Sequence, residues 1–289
     1  MILFQMHIMY YESAMINETF DSIQQALLYS KEEVKIRLCL NSQTYIESPD
    51  EGTPEEMFNQ FKDHPIFKQA EIVYKTDQDS FYNIADWRRE EYDTAAKYTV
   101  WGESDCLLPL DFFHILESLD IPERHILTFA SRPMWDNSWD SVTHRDLQGY
   151  SKPCQCGDVH RKDCIELLEA PYKYKDIITQ SQLDEFNSQS DIEIEQVPLK
   201  IDGSLLCISA KMEAPFIAPN MHFVREDSCA ENFFRIKNIP QVCVKTRLKG
   251  HNYWHPLKRT NTSNTRDDKV FKQYAEKSQQ SMINFLQQI

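Results

Sequence analysis

The sequence predicts an α/β fold: a mostly parallel sheet flanked by helices, with an irregular inserted lobe. Three observations predict it. Strand-like and helix-like segments alternate through residues 1 to 120, a pattern that implies right-handed crossovers and parallel pairing. The opening segment, Ile2 to Tyr10, is a continuous apolar run, the mark of a strand buried on both faces. The strand ends after Tyr10, Asn41, Lys75 and Trp101 should share one rim, and ligands of such sheets bind outside the carboxyl ends of their strands.

Each element has its own signal. After the first strand, Ile16, Phe20, Ile23 and Leu27 recur at helical spacing. Val34, Ile36, Leu38 and Leu40 alternate as a second strand that ends at Asn41. Thr53-Pro54-Glu55-Glu56 is a capping box with proline at the first helical position, opening a helix through Phe61. Glu71 to Lys75 predicts a short third strand, Tyr82 to Ala96 a helix, and Tyr98 to Trp101 a fourth strand. Further on, Ile126 to Ser131 and Ser204 to Ala210 predict strands, and Asp227 to Lys237 a helix. Residues 132 to 175, rich in Trp, Pro, Cys and charge, predict irregular insertions, and residues 267 to 288 a polar terminal helix. No clear linker divides the chain. The expected organisation is an α/β half over 1–125, a second half with a Cys/His-rich insertion over 126–265, and a C-terminal helix over 266–289.

Composition excludes several classes. With 289 residues, 41% of them hydrophobic, the chain has ample length for a core. No run approaches the roughly 20 apolar residues that span a bilayer, and MILFQMHIMYY lacks the basic region of a signal peptide. A cytoplasmic location with reduced thiols is therefore expected for the eight scattered cysteines. The net charge of −14 argues against general nucleic-acid binding. Six glycines build neither a G-x-G-x-x-G nor a Walker A loop. Phosphates, if bound, must be neutralised by a metal or by Arg and Lys.

The segment KYTVWGESDCLLPLDFF is the most informative. A buried strand runs into a turn carrying Glu103 and Asp105, and an apolar helix follows. Carboxylates buried without partners are costly, so such a pair suits a hard cation, Mg²⁺ or Mn²⁺, with substrate phosphates as further ligands. A second constellation, CQCGDVHRKDC, gathers Cys154, Cys156, His160 and Cys164, soft ligands suited to a tetrahedral structural Zn²⁺. Late in the chain, KGHNYWHPLK lies among Lys245, Arg247, Lys249, Lys258 and Arg259, a basic stretch that suggests an anion contact. Each pattern also has a plainer reading. The acidic turn could be a solvated bend, the thiols bystanders, the basic stretch a packed strand, and Trp135 and Trp139 core residues rather than sugar platforms.

Four features in order resemble the inverting, family-two type of GT-A nucleotide-sugar glycosyltransferase. They are the opening strand with NETFDSIQQAL, then VKIRLCLNSQ, then DQDSFYNIADWRREEYDTAAKYTVWGESD, and last LLPLDFFHIL. The resemblance covers about residues 1 to 120 well and the remainder loosely. It implies a GT-A-like sheet, a nucleotide-sugar donor, an acceptor hydroxyl on a glycan, a lipid-linked group or a modified nucleobase, and an Mn²⁺ or Mg²⁺ cofactor. It further implies donor contacts from Tyr11, Asn41, Asp79, Arg88, Glu103 and Ser104, with Arg88 near a phosphate and Asn41 and Asp79 near the base. The metal would lie on Glu103 and Asp105, with His251 or His255 as a third ligand. Glu226 and Asp227 would supply the catalytic carboxylates, Asp227 being the base and Glu231 a rival. The chain departs from the family pattern at two points. Glu103-Ser104-Asp105 replaces Asp-x-Asp, and Asn41 stands where an aspartate usually contacts uracil. A zinc-stabilised binding module without catalysis and a nucleotidyltransferase are the rival readings, although YYESAMINE offers no Gly-rich loop for the latter.

Overall fold

The protein is seen in a computed structural model that describes residues 1–12, 16–42, 54–76, 82–134, 136–149, 179–212, 215–221, 225–251 and 268–289. In chain order the strands are β1 (Ile2–Met9), β2 (Val34–Asn41), β3 (Glu71–Lys75), β4 (Tyr98–Gly102), β5 (Cys106–Leu107), β6 (Ile126–Ala130), β7 (Ile194–Val197), β8 (Leu205–Ser209), β9 (Gln241–Leu248) and β10 (Gly250–His251). The α-helices are α1 (Ile16–Leu27), α2 (Pro54–Phe61), α3 (Pro65–Gln69), α4 (Ile84–Glu90), α5 (Phe112–Ser118), α6 (Gln180–Asn187), α7 (Glu226–Ile236) and α8 (Asp268–Leu286).

One sheet of eight strands runs in the order β3-β2-β1-β4-β8-β6-β9-β7. The strands β3, β2, β1 and β4 are mutually parallel, as are β6 and β9, whereas β8 and β7 run against their neighbours. The sheet is thus mixed and mostly parallel, and it continues through both halves expected from the sequence. A separate ribbon pairs β5 with β10.

Period-two alternation gives the sheet two faces. On one, Ile2, Phe4, Met6 and Ile8 of β1 join Leu38 and Val100 beneath Ile16, Phe20 and Ile23 of α1 and Phe112 and Phe113 of α5. Phe4 meets Phe113 edge-on with centroids 6.1 Å apart, a geometry the ring quadrupoles favour. On the other face, Trp101, Leu206 and Ile208 pack against Ala85 of α4, Phe233 and Phe234 of α7, and Phe285 of α8. At the end of β4, a Cβ on Gly102 would come within 2.5 Å of Phe4 Cζ. Glycine leaves the space over β4 that the Phe4 ring fills.

Sequence patterns and structure differ in instructive places. The helix expected over Tyr82–Ala96 is only Ile84–Glu90. Asn83 and Asp86 form a capping box at its start, and at its far end the Tyr92 hydroxyl donates to Ser209 O at 2.7 Å. That bond draws the chain toward β8 and out of helical register. The first strand stops at Met9, where Tyr10–Glu12 turn as a 3₁₀ helix. Strand β9 gave no clean sequence signal because Lys245, Thr246 and Arg247 interrupt its apolar run, yet all eight of its residues are buried. Of the tryptophans, Trp139 is a core residue beside Ala130 and Val142, with Lys200 Nζ 4.3 Å above its ring; Trp135 lies outside the described residues.

Candidate active site at the rim of the sheet

The carboxyl ends of β1, β2 and β4 meet at one rim, and short polar contacts there fix the backbone. Cys106 N donates to Glu103 O at 3.2 Å, which closes the acidic turn. Thr19 of α1 donates its hydroxyl to Ser104 O at 2.6 Å. Ser104 Oγ donates to Glu12 Oε1 at 2.6 Å, and Glu12 Oε2 accepts from Met9 N at 2.8 Å. Glu12 therefore ties the exit of β1 to the acidic turn after β4. Sequence reasoning passed it over, although an acid three residues beyond a buried strand was a legible signal. Ser104 is buried, its polar atoms turned to the protein, and Asp105 is fully enclosed. Glu103 keeps about a quarter of its side chain exposed.

At the end of β2, Asn41 is fully buried. Its amide nitrogen lies 3.1 Å from His7 Nε2 and donates to Tyr82 O at 2.9 Å. Burial, aided by the positive charge of Arg88, holds the His7 pKa down at about 3, so the ring is neutral and can accept from Asn41.

Arg88 gathers the site. From α4 its guanidinium reaches Glu226 Oε1 at 2.9 Å through Nη1. Through Nη2 it reaches Glu103 Oε1 at 3.2 Å and Gly203 O at 2.6 Å. It also lies over the Trp101 ring, 4.9 Å from the centroid. Only 1% of the side chain is exposed. The Arg88 fork is thus engaged by protein acceptors on three segments.

Glu226 and Asp227 open α7, where acids suit the helix dipole. Glu226 is buried, and burial, with the nearby Asp227 charge, raises its pKa well above the carboxylate range while Arg88 pulls the other way. Asp227 is half-buried and its pKa is also raised, chiefly by desolvation. Its Oδ1 accepts from Ser228 N at 2.6 Å. A Cβ added to Gly203 would sit 3.4 Å from both Arg88 Nη1 and Asp227 Cβ, so the small residue lets the turn slip between them.

The turn 202–204 is a second element the sequence did not single out. Asp202 Oδ2 lies 2.6 Å from Lys249 Nζ, and Asp202 Oδ1 accepts from Ser204 N at 2.9 Å. Glu103 N donates to Ser204 O at 3.1 Å. An Asp-Gly pair before a buried strand marked a turn, but its neighbours in space were not readable.

Of the basic stretch, Lys245, Arg247 and Lys249 are described, whereas Lys258 and Arg259 lie outside the described residues. Lys245 Nζ donates to Ser141 O and Thr143 O at 2.9 and 2.8 Å. Arg247 Nε donates to Asp111 Oδ2 at 2.7 Å, and Lys249 is buried against Asp202. These three cations are engaged by protein acceptors along β9 and just beyond its end. Glu231 is likewise engaged, accepting from Arg235 Nη2 at 2.6 Å and from Ile201 N at 3.3 Å.

The ribbon β5–β10 sets His251 opposite Cys106, one residue from Asp105. Among the described residues, no three His, Cys, Asp or Glu side chains form a metal-ligand cluster. Asp79, His255, Cys154, Cys156, His160 and Cys164 lie outside the described residues, as do the side chains of Tyr11 and His251. Also among the described residues, no helix is long and apolar enough to cross a membrane.

No protein-family model matches the sequence, and no curated protein sequence matches it significantly. Solved structures with a remote likeness include a mannosyltransferase, PcManGT from Pyrobaculum calidifontis, in complex with GDP-Man and Mn²⁺. It shares 16% identity at a TM-score of 0.33, over 46% of this chain and 36% of that one. The galactosyltransferase LgtC, with donor and acceptor sugar analogues, shares 8% at a TM-score of 0.36, over 72% and 58%. The bifunctional glycosyltransferase WbbM shares 10% at 0.33, over 97% and 44%. The chain thus spans less than two thirds of the length of each.

Proposed function

We propose that the protein is a glycosyltransferase that moves a sugar from a nucleotide-sugar donor to an acceptor hydroxyl with the help of Mn²⁺ or Mg²⁺. One observation carries this reading: an acidic turn at the carboxyl end of a parallel strand and an acidic pair at a helix N-terminus are joined into one site through Arg88. Two functions need two groups of acids. Departure of a diphosphate calls for positive charge beside the leaving group, and attack by a hydroxyl calls for a base on the opposite side.

The donor set at the acidic turn fits a hard divalent ion. Two carboxylates on one turn, one enclosed, are oxygen ligands of the kind Mg²⁺ and Mn²⁺ take, with phosphates and water completing the shell. Glu103 and Asp105 would hold the ion, with His251 as the third ligand that the resemblance implies, and the bound ion would supply Lewis-acid stabilisation of the developing diphosphate charge. Glu103 has one oxygen committed to Arg88, so its other oxygen serves the ion or the donor ribose. Asn41 and Asp79 would contact the nucleobase, and Tyr11 and Ser104 other parts of the donor, as the sequence resemblance implies. Asp227, half-exposed and with a raised pKa, takes the acceptor proton at its carboxylate, and a base poised nearer neutrality suits that task. Glu226 stands behind it.

Incubation with a panel of UDP- and GDP-sugars tests the reading. Nucleoside diphosphate release that requires Mn²⁺ or Mg²⁺ is expected. Absence of release across donors and acceptors favours a binding module, and pyrophosphate release from nucleoside triphosphates favours a nucleotidyltransferase. A structural zinc on Cys154, Cys156, His160 and Cys164 is a separate expectation, checked by elemental analysis of purified protein.

A further inference from the structure

We infer that Arg88 is a positioning residue that fixes the spacing between the acidic turn after β4 and the acidic pair that opens α7. The inference rests on the glycosyltransferase reading and assigns Arg88 a task other than contact with donor. Its fork touches three segments remote in sequence: Glu103 at 3.2 Å, Gly203 O at 2.6 Å and Glu226 at 2.9 Å. Trp101 forms the floor at 4.9 Å. A planar guanidinium holds several acceptors at fixed angles, which a lysine ammonium on a flexible stem cannot do.

The consequence falls on Asp227. Glu226 is anchored by Arg88, and Asp227 is the next residue on the same helical turn. The Gly203 turn, anchored by the same guanidinium, borders the Asp227 side chain, since a Cβ at 203 would lie 3.4 Å from Asp227 Cβ. Two walls of the base's surroundings are therefore held by one cation, which also grips Glu103 on the donor side. The turn is braced from its other end as well, by Lys249 on Asp202 at 2.6 Å. Loss of Arg88 releases the base relative to the donor without removing a group that touches either substrate.

Four variants test this with the donor that the wild-type protein turns over. Arg88→Lys keeps the charge and loses the fork. Glu226→Gln keeps an acceptor oxygen for Nη1, whereas Glu226→Ala removes it. The paired Arg88→Met, Glu226→Met variant replaces a buried ion pair by apolar groups, a change that folded proteins often tolerate, and it guards against a result caused by unfolding alone. Folding is monitored by denaturant titration, and binding by titration with UDP or GDP plus Mn²⁺.

Expected for Arg88→Lys, Glu226→Ala and the double Met variant is a fall in kcat of about 100-fold, the penalty of a misplaced group, with donor KM and nucleotide binding within about threefold of wild type. Glu226→Gln should recover to within about tenfold of wild-type kcat, because its amide oxygen can still accept from Arg88. A rise in donor KM at unchanged kcat would overturn the inference by assigning Arg88 to donor contact. So would a loss of activity that merely tracks the folded fraction, or normal turnover by Arg88→Lys. A wild-type protein that turns over no donor is a distinct result: it removes the glycosyltransferase reading itself.

Discussion

The two faces of the central sheet obey different rules. Beneath α1, α3 and α5, the face is dominated by apolar residues, with Ile2, Phe4, Met6 and Ile8 meeting aromatic rings. The opposite face carries Gln5, His7 and Thr99 from the same strands, all buried, and Arg88 descends onto Trp101 from α4. The first face draws its free energy from area removed from water, which is non-directional and tolerant of small shifts. The second adds, to an apolar cluster of its own around Trp101 and Phe234, directed bonds between groups costly to bury, so each polar partner there is specified.

Breaking the polar side at its chemical centre should give the largest effect. Asp227→Asn is expected to lower turnover by about 10²- to 10⁴-fold, the usual worth of a general base. Nucleoside diphosphate binding, followed by thermal shift with Mn²⁺, should survive. Retained turnover would remove Asp227 from the role.

The apolar side should respond in stability alone. Phe113→Ala should cost about 3–5 kcal/mol of unfolding free energy, since a buried ring leaves a cavity. Turnover per folded molecule should stay near wild type. Gly102→Ala, with a Cβ 2.5 Å from Phe4 Cζ, should cost about 1–3 kcal/mol by overpacking. A drop in kcat without loss of stability in Phe113→Ala would show that the two faces are not separable.

Titration separates the faces more finely. His7 is held neutral, its pKa lowered from 6.5 to about 3 by burial and the Arg88 charge. Between those values the unfolded chain binds a proton that the folded chain refuses, so the stability contributed is intact above pH 6.5 and lost as pH falls toward 3. From about pH 7 to about pH 5 the wild type should lose about 2 kcal/mol more than His7→Gln, at 1.36 kcal/mol per unit. Equal slopes for the two proteins would rule out His7 as the source. The smallest effect belongs to the surface. Glu71 is paired with Arg37 at 2.9 Å but 47% exposed, and Glu71→Gln should cost no more than about 1 kcal/mol, less in high salt.

The sequence by itself determined the strand–helix alternation, the buried first strand, the rim at the ends of β1, β2 and β4, and the turn after β4 that carries Glu103 and Asp105. Those features rest on local periodicity and on residue types costly to bury, both written into short stretches of chain. Only the tertiary structure decided what the cations do. Arg88, Lys245, Arg247 and Lys249 look alike as basic letters, yet each is defined by an acceptor far away in sequence: Glu226, Thr143 O, Asp111 and Asp202. A buried charge is settled by its partner rather than by its neighbours along the chain, and partners are chosen when the sheet closes. The same holds for Glu12 and for the turn at Gly203, whose contacts exist only once β1, β4 and β8 lie side by side in the sheet.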